Sequence, residues 1–337
     1  MKVKRILLIA HDAGGANILS ALMKKYEKKY QWSGCVEGPA QAIFDRKDFV
    51  GGHQLNQLFD LSPDLVLTAT SWGSTLEIDA IKKARQLGIP TASFLDHWCN
   101  YRARFGSSLQ WKKNLPDYIL TGDAWAYQQA VKESFPRGKL HKVENPYWAN
   151  MRDQIKNARL QGDKKKKTGR INVLYLSSPI ADHARKEYGS EHHWGFNEYD
   201  QVEDLLAVID NQQELNLCIR LHPSENRDKY ARFFHPRLSI SFPSSASLVD
   251  DCMKADVLIG CDTLALVVGL LTGGKVISYF KGKKLKSTLP QQEIIKVFST
   301  TSLVEQLTKL KNARISASLM QTHFKMPGFP RVLMNLR

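Results

Sequence analysis

A histidine and a proline follow a predicted buried strand in "IRLHPSENRDKY", residues 219–230. Proline stops a strand, and the Ser and Asn that come next are common helix caps, so an ordinary loop accounts for the pattern. A chemical role is the alternative, because α/β proteins hold their ligands where the strands of the sheet end. His222 is placed there to contact a ligand, and Pro223, Ser224 and Glu225 belong to the same candidate site.

Two titratable residues follow the first predicted strand, in "HDAGGAN", residues 11–17. Backbone amides at Gly14 and Gly15 can hold a phosphate or a sugar at a helix N-terminus, although a tight turn between strand and helix also requires glycine. The spacing is not the GxGxxG of a dinucleotide site. His11 and Asp12 favour a functional role, because two titratable groups at a strand end are costly to place without partners.

Polar residues end two strands of the second half of the chain. Ser177 and Ser178 in "LSSP" can donate hydrogen bonds to phosphate oxygens, although serines are common at strand ends. Asp262 and Thr263 separate a buried strand from an apolar helix, whose dipole and free amides then point at whatever lies over the end of the sheet. Asp262 is equally suited to cap that helix.

Asp96 and His97 in "SFLDHWCNY" form a further polar strand end in the first half. The neighbouring rings of Trp98 and Tyr101 can stack on a sugar, which makes this segment a candidate for acceptor binding. A half-buried turn packed by a tryptophan explains the same residues.

Strands and helices alternate along both halves of the chain. Continuous apolar runs predict strands buried on both faces of a parallel sheet, and an amphipathic or helix-forming segment follows several of them. The predicted strands are 5–10, 64–70, 90–96 and 117–123 in the first half, and 171–179, 215–223, 238–243, 255–263 and 275–280 in the second. This alternation predicts two Rossmann-like α/β domains that face each other across a cleft.

The domain boundary is expected in the polar, basic stretch "KNARLQGDKKKKTGR". Residues 1–150 are then an N-terminal, acceptor-side domain, residues 151–170 a basic linker, and residues 171–337 a nucleotide-donor domain that ends in a helical tail. A chain of 337 residues fits two domains of ordinary size.

The composition favours an anionic partner. A net charge of +15 attracts nucleic acid, anionic lipid headgroups, acidic glycans and nucleotides alike. No recognition helix or aromatic RNA-binding motif is present, which ranks nucleic acid low, whereas basic loops at 163–170 and 281–286 suit an anionic membrane surface. The N-terminus is neither a signal peptide nor a membrane-spanning helix, which favours a cytoplasmic protein, peripheral on the inner face of the membrane.

Five cysteines lie far apart without a CxxC pair, which argues against a zinc site and a disulfide framework. No DxD pattern occurs in a convincing loop. We therefore expect no bound metal and no cofactor.

Three segments resemble the nucleotide-binding half of GT-B glycosyltransferases: "LYLSSPIADHARKEYG", "IRLHPSENRDKY" and "ADVLIGCDTLALVVGLLTGGKVISYF". The resemblance spans residues 171–280 and is closest to bacterial sialyltransferases and polysialyltransferases, with capsule Kdo transferases and CDP-glycerol glycerophosphotransferases as more distant relatives. In these families the histidine of an HP motif contacts the phosphate of a cytidine-linked donor. The resemblance therefore implies that His222 does so here.

The sequence departs from this family in two places. The family has a Ser-Ser or Ser-Thr pair at the start of a later helix, where this chain has Asp262-Thr263, while Ser244-Ser245 lie earlier, in "FPSSAS". An aspartate that faces a phosphate is unfavourable, so either Asp262 caps the helix while Thr263 meets the ligand, or the donor sits differently. The acidic motif of some sialyltransferases is also absent, and Asp12 is the substitute for it.

These observations predict a metal-independent transfer of a sugar from a nucleotide sugar to a bacterial surface glycan or glycolipid. The acceptor hydroxyl must lose a proton and the departing phosphate must be stabilised. The candidate catalytic residues are Asp12 and His222; the candidate donor-binding residues are Ser177, Ser178, His222, Pro223, Ser224, Glu225, Ser244, Ser245, Asp262 and Thr263; the candidate acceptor-binding residues are His11, Gly14, Gly15, Asn17, Asp96 and His97.

Two other functions remain open at this point. A UDP-sugar 2-epimerase has the same two-domain plan and uses a His-Arg-Glu cluster, for which His183, Arg185 and Glu187 supply the residue types at looser spacing. A protein that binds anionic glycans or nucleic acid without catalysis is the third possibility.

Overall fold

The computed structural model describes residues 4–44, 49–51, 54–71, 73–106, 109–161, 169–212, 214–243, 247–282, 284–309 and 329. The chain divides into two compact units, Met1–Asn150 with Gln321–Arg337, and Met151–Met320. Each unit is a parallel α/β sheet, so the prediction of two Rossmann-like domains is confirmed.

The first unit has a seven-stranded sheet in the order β3-β2-β1-β4-β5-β6-β7, and every pairing is parallel. Its strands are β1 (Arg5–Ala10), β2 (Gln31–Val36), β3 (Phe49–Val50), β4 (Leu65–Thr68), β5 (Thr91–Leu95), β6 (Tyr118–Thr121) and β7 (Leu140–Lys142). Its helices are α1 (Ala13–Lys25), α2 (Leu55–Phe59), α3 (Leu76–Gln86), α4 (Ala124–Lys132) and the start of α5 (Pro146–Leu160). Side chains of β1 and β4 are buried throughout their central residues, as expected of strands covered on both faces.

The second unit has a six-stranded parallel sheet in the order β10-β9-β8-β11-β12-β13. Its strands are β8 (Ile171–Leu176), β9 (Leu215–Arg220), β10 (Leu238–Ser241), β11 (Val257–Gly260), β12 (Lys275–Tyr279) and β13 (Ile295–Val297). Its helices are α6 (Ile180–Tyr188), α7 (Glu198–Asn211), α8 (Leu248–Lys254), α9 (Leu264–Leu271) and α10 (Thr300–Thr308).

Two boundaries differ from those expected from the sequence. Helix α5 runs through Leu160, where a linker was expected from residue 151, and residues 162–168 of that linker lie outside the described residues. Phe329, which the sequence analysis assigned to the second domain, belongs to the core of the first unit, and its ring centroid lies 6.2 Å from that of Tyr26. Both differences come from tertiary contacts, which a local polarity pattern does not report.

The connections of each sheet reverse direction at one point. In the first unit the chain leaves β1 towards β2 on one side and β4 towards β5 on the other, and in the second it leaves β8 and β11 in the same divergent way. Ligands of open α/β sheets bind at the carboxyl ends of the two strands that flank such a reversal. The residues that follow β1 and β4, and β8 and β11, lie at these two points, and His222 follows β9, the neighbour of β8 in the second sheet.

Candidate functional site

The carboxylate of Asp12 is oriented by two hydrogen-bond partners at the carboxyl end of β1. Its Oδ1 lies 2.7 Å from Nδ1 of His11 and accepts a hydrogen bond of 2.9 Å from the hydroxyl of Ser71, which lies beyond the end of β4. Asp12 stands at the N-cap position of α1, but its side chain forms no cap hydrogen bond. Helix capping therefore does not account for this carboxylate, which remains 26% exposed.

A buried carboxyl group lies behind His11. Oε1 of Glu77, in the first turn of α3, accepts a hydrogen bond of 2.9 Å from the backbone amide of His11, and Oε2 is buried without a partner among the described residues. Burial raises the pKa of Glu77 to about 7, against the lowering effect of its own backbone hydrogen bond and of the one from His11. Sequence reasoning missed Glu77, because an acidic residue in the first turn of a helix is common for dipole reasons alone.

The two glycines after Asp12 serve close packing. A Cβ atom on Gly14 would lie 2.4 Å from Oδ2 of Asp96, and one on Gly15 would lie 2.5 Å from Cβ of Ala69. Both positions therefore need glycine for α1 to pack on the sheet, whether or not a ligand binds there. Asn17, another expected acceptor-binding residue, donates its amide to the carbonyl of Ala13 within α1.

Asp96 does not present a free carboxylate to an acceptor. It forms an ion pair with Arg104, the two side chains are 7% and 8% exposed, and its Oδ1 also accepts a hydrogen bond of 3.1 Å from Thr70. This differs from the expected acceptor-binding role, and the physical reason is the buried cation, which the sequence did not reveal. The ring of His97 lies beside Cys99, with Nδ1 3.5 Å from Sγ, and its carbonyl accepts from Tyr101.

His222 follows β9 and is held in one tautomer by its own loop. The backbone amide of Ser224 donates to Nδ1 at 3.2 Å, so Nδ1 is the acceptor and the neutral ring carries its proton on Nε2. The Ser224 hydroxyl lies 2.7 Å from the same nitrogen. Burial lowers the pKa of His222, as does Lys229, while Glu225 raises it. No described residue bonds to Nε2, so this N–H can donate to a ligand; Pro223 and Ser224 are exposed beside it.

Glu225 and Ser177 point inward, in contrast to the donor-binding role expected of them. Glu225 is 1% exposed, its Oε2 accepts from the backbone amide of His222 at 2.8 Å, and its Oε1 accepts from the hydroxyl of Ser177 at 2.9 Å. Ser177 is also 2.6 Å from the phenol oxygen of Tyr230. Both residues therefore support the loop that carries His222. Of the serines Ser177 and Ser178, it is the half-buried Ser178 whose hydroxyl can still contact a ligand.

Asp262 does not have the helix-capping role considered for it in the sequence analysis. Thr263 caps α9, with its hydroxyl accepting from the amide of Ala265 at 3.3 Å. Asp262 instead accepts from the amide of Thr288 at 3.0 Å, from its hydroxyl at 2.6 Å and from the hydroxyl of Ser287 at 3.2 Å. The carboxylate of Asp262 therefore anchors the loop after β12, and the donors of that loop compensate its negative charge. Ser244 and Ser245 lie outside the described residues.

The three residues considered for an epimerase, His183, Arg185 and Glu187, all lie on helix α6. Arg185 pairs at the surface with Asp182 at 2.9 Å and with Glu191. His183 stacks on Trp194 with ring centroids 5.6 Å apart. Glu187 is exposed.

Other features of the described residues bear on cofactors and membranes. No three His, Cys, Asp or Glu side chains among them are grouped so as to hold a metal ion, and none of the five cysteines forms a disulfide. No helix within the described ranges is long and apolar enough to cross a membrane.

The fold is similar to that of solved sugar-nucleotide enzymes. No protein-family model and no curated protein sequence matches the chain. Among solved structures, UDP-GlcNAc 2-epimerase from Methanocaldococcus jannaschii, in complex with UDP-GlcNAc and UDP, has a TM-score of 0.68 at 12% identity, with 98% of this chain and 99% of that chain covered. The Neisseria meningitidis UDP-GlcNAc 2-epimerase bound to UDP-GlcNAc has a TM-score of 0.66 at 11% identity, with 98% of each chain covered. The glycotransferase of kitacinnamycin has a TM-score of 0.61 at 12% identity, with 93% and 92% covered. At such identities the likeness shows the fold.

Proposed function

We propose that this chain is a metal-independent glycosyltransferase that takes a sugar from a nucleotide sugar. The observation that carries the proposal is the Nε2–H of His222, held in one tautomer at the carboxyl end of β9 without a partner among the described residues. Such a donor stabilises the charge that develops on a departing phosphate. The solved structures with this fold include enzymes bound to UDP-GlcNAc or UDP, which supports a nucleotide sugar as the substrate.

Asp12 is the base in this proposal. The reaction requires a group that removes the proton from the acceptor hydroxyl, and Asp12 has a partly exposed carboxylate oriented by Ser71 and His11. The acceptor is a hydroxyl of a bacterial surface glycan or glycolipid, the donor an acidic sugar on CMP, and the place of action the inner face of the membrane. These three finer points rest on the resemblance of the HP segment and on the net charge of +15. No cofactor takes part.

A UDP-sugar 2-epimerase is the second candidate. Several solved structures with this fold are UDP-GlcNAc 2-epimerases, and they cover nearly the whole chain. Arg185 pairs at the surface with Asp182 and Glu191, which counts against its part in the His-Arg-Glu cluster that such an enzyme was expected to use.

Incubation with CMP-, UDP- and GDP-sugars separates these functions. Release of the nucleotide that depends on an added glycan acceptor supports transfer. Formation of a C2-epimer without an acceptor supports the epimerase, and binding without any chemistry contradicts both enzymes.

A further inference from the structure

A buried lysine lies between two buried carboxylates behind the loop of His222. Nζ of Lys229 donates to Oε1 of Glu225 at 2.6 Å and to Oε1 of Glu198. The side chains of Lys229, Glu225 and Glu198 are 6%, 1% and 0% exposed. Burial lowers the pKa of Lys229, but the hydrogen bonds and charges of the two carboxylates outweigh burial and raise it. The two carboxylates therefore stabilise the charged form of Lys229.

The two carboxylates use their remaining capacity on the loops that follow β8 and β9. Oε2 of Glu198 accepts from the backbone amide of Ala181 at 2.7 Å, in the turn that begins α6 just after β8. Glu225 accepts from the amide of His222 and from the hydroxyl of Ser177. Glu225 therefore bonds to both segments, because Ser177 follows β8 and His222 follows β9, and Lys229 joins Glu225 to Glu198, which holds a second point of the segment after β8.

Stability alone gives no reason for three charges in this place. A buried ion triad is often replaced by apolar residues of similar volume without loss of stability, whereas the removal of one member leaves a buried charge unpaired. The three charges instead fix the geometry of the two loops, because the hydrogen bonds of the cluster have defined partners on them.

We propose that Lys229, through Glu225 and Glu198, is a positioning residue that holds the His222 loop against the β8 loop and so aims Nε2 of His222 at the phosphate of the nucleotide. The proposal rests on the proposed function for the identity of the ligand only. The arrangement of the loops is a property of the protein without ligand.

The pKa of His222 distinguishes this positioning role from a merely structural one. The charged groups that face His222 are Glu225, which raises its pKa, and Lys229, which lowers it, while Glu198 faces Lys229. Lys229→Gln should therefore raise the pKa of His222, and Glu225→Gln should lower it. General loosening of the loop would expose the ring in both variants and move both values upward, towards the ordinary one.

The experiment follows the ring of His222 by NMR titration of the histidine-labelled full chain, in the wild type and in both variants. Lys275→Gln is the matched control, since Lys275 is a buried lysine at the opposite end of the sheet, where its Nζ donates to the carbonyl of Gln306. The proposal requires shifts of opposite sign in the two variants, with none in the control. Shifts of equal sign, or none, overturn it. If Lys229→Gln does not fold, Glu225→Gln decides alone: a fall in the pKa of His222 supports the proposal, and a rise or no change overturns it.

Binding of CMP and UMP to the same proteins separates this inference from the proposed function. We expect Lys229→Gln to weaken binding at least tenfold, with Lys275→Gln unchanged. Opposite pKa shifts in a protein that binds neither nucleotide support the positioning role and overturn the proposed function. Opposite shifts with undiminished nucleotide binding in Lys229→Gln overturn the claim that the cluster aims His222.

Discussion

Ser71 donates a hydrogen bond of 2.9 Å to Oδ1 of Asp12 across the gap between the carboxyl ends of β1 and β4. The same oxygen lies 2.7 Å from Nδ1 of His11. Groups on two different loops thus fix one carboxylate at the point where the first sheet reverses its connections. A carboxylate that is oriented in this way, makes no helix cap and stays partly exposed has the properties of a catalytic base.

Asp12→Asn tests this role directly. The amide keeps the shape and still accepts from Ser71, but it cannot remove a proton, so we expect transfer to be lost while nucleotide binding and the melting temperature stay unchanged. Ser247→Ala is the control: Ser247 does cap a helix, α8, by accepting from the amide of Asp250, and its removal should cost about 1 kcal/mol without affecting transfer. A wild-type transfer rate in the Asp12→Asn variant would contradict the assignment.

Glu77 makes stability depend on pH in a defined window. Its pKa is about 7 in the folded protein against 4.5 as the ordinary value, so the folded state holds a proton that the unfolded state has lost between these limits. The contribution of Glu77 to stability is therefore fully present below the lower value and falls as pH rises to about 7, by about 3 kcal/mol in total. Urea unfolding at about pH 5 and about pH 8 measures this loss, which Glu77→Gln should largely remove. An identical pH slope in both proteins would show that Glu77 ionises normally.

His222 acts as a neutral hydrogen-bond donor in this account. His222→Ala should lower the transfer rate by roughly 10²-fold, as for the loss of one preorganised donor, with little change in melting temperature. His222→Gln should retain more activity than the alanine variant, because its side-chain amide can donate from a similar place. Comparison of initial rates and melting curves checks both statements, and equal rates in the wild type and a folded alanine variant would remove His222 from the mechanism.

The charge of the chain predicts attachment to anionic membranes. Co-sedimentation with liposomes that contain anionic lipid should fall steeply as salt rises, because exposed charges are screened over about 10 Å at about 0.1 M salt. Liposomes of neutral lipid serve as the control. Binding to both kinds at every salt concentration would contradict an electrostatic attachment.

The strands that the sequence revealed are the central ones. β1, β4, β8 and β11 are covered on both faces and so appear as continuous apolar runs. The strands β2, β3, β7 and β13 were not predicted, because they are short or partly exposed and their residues carry no apolar run. Helix α5 was missed for a similar reason, since its polar, basic residues indicate a linker.

Site residues were predictable as far as they depend on position in a strand-loop-helix unit. His222, Asp12 and Ser178 follow strands, and their candidacy was predicted in this way. The partners of these residues were not, because they come from tertiary contacts: Arg104 buries Asp96, Ser287 and Thr288 bind Asp262, and Glu198 meets Lys229 from a separate helix. Such contacts depend on the fold and not on a local sequence pattern, even between Asp96 and Arg104, which are only 8 positions apart.

The most direct test of the central claim is calorimetric titration of CMP, CDP, UMP and UDP into the wild type and into His222→Ala. We predict that at least one nucleotide binds the wild type and binds the alanine variant at least tenfold more weakly, a loss of about 1.4 kcal/mol or more, while Asp12→Asn binds as the wild type does. Failure of all four to bind, or equal affinity in the wild type and His222→Ala, would contradict a nucleotide-sugar site built around His222.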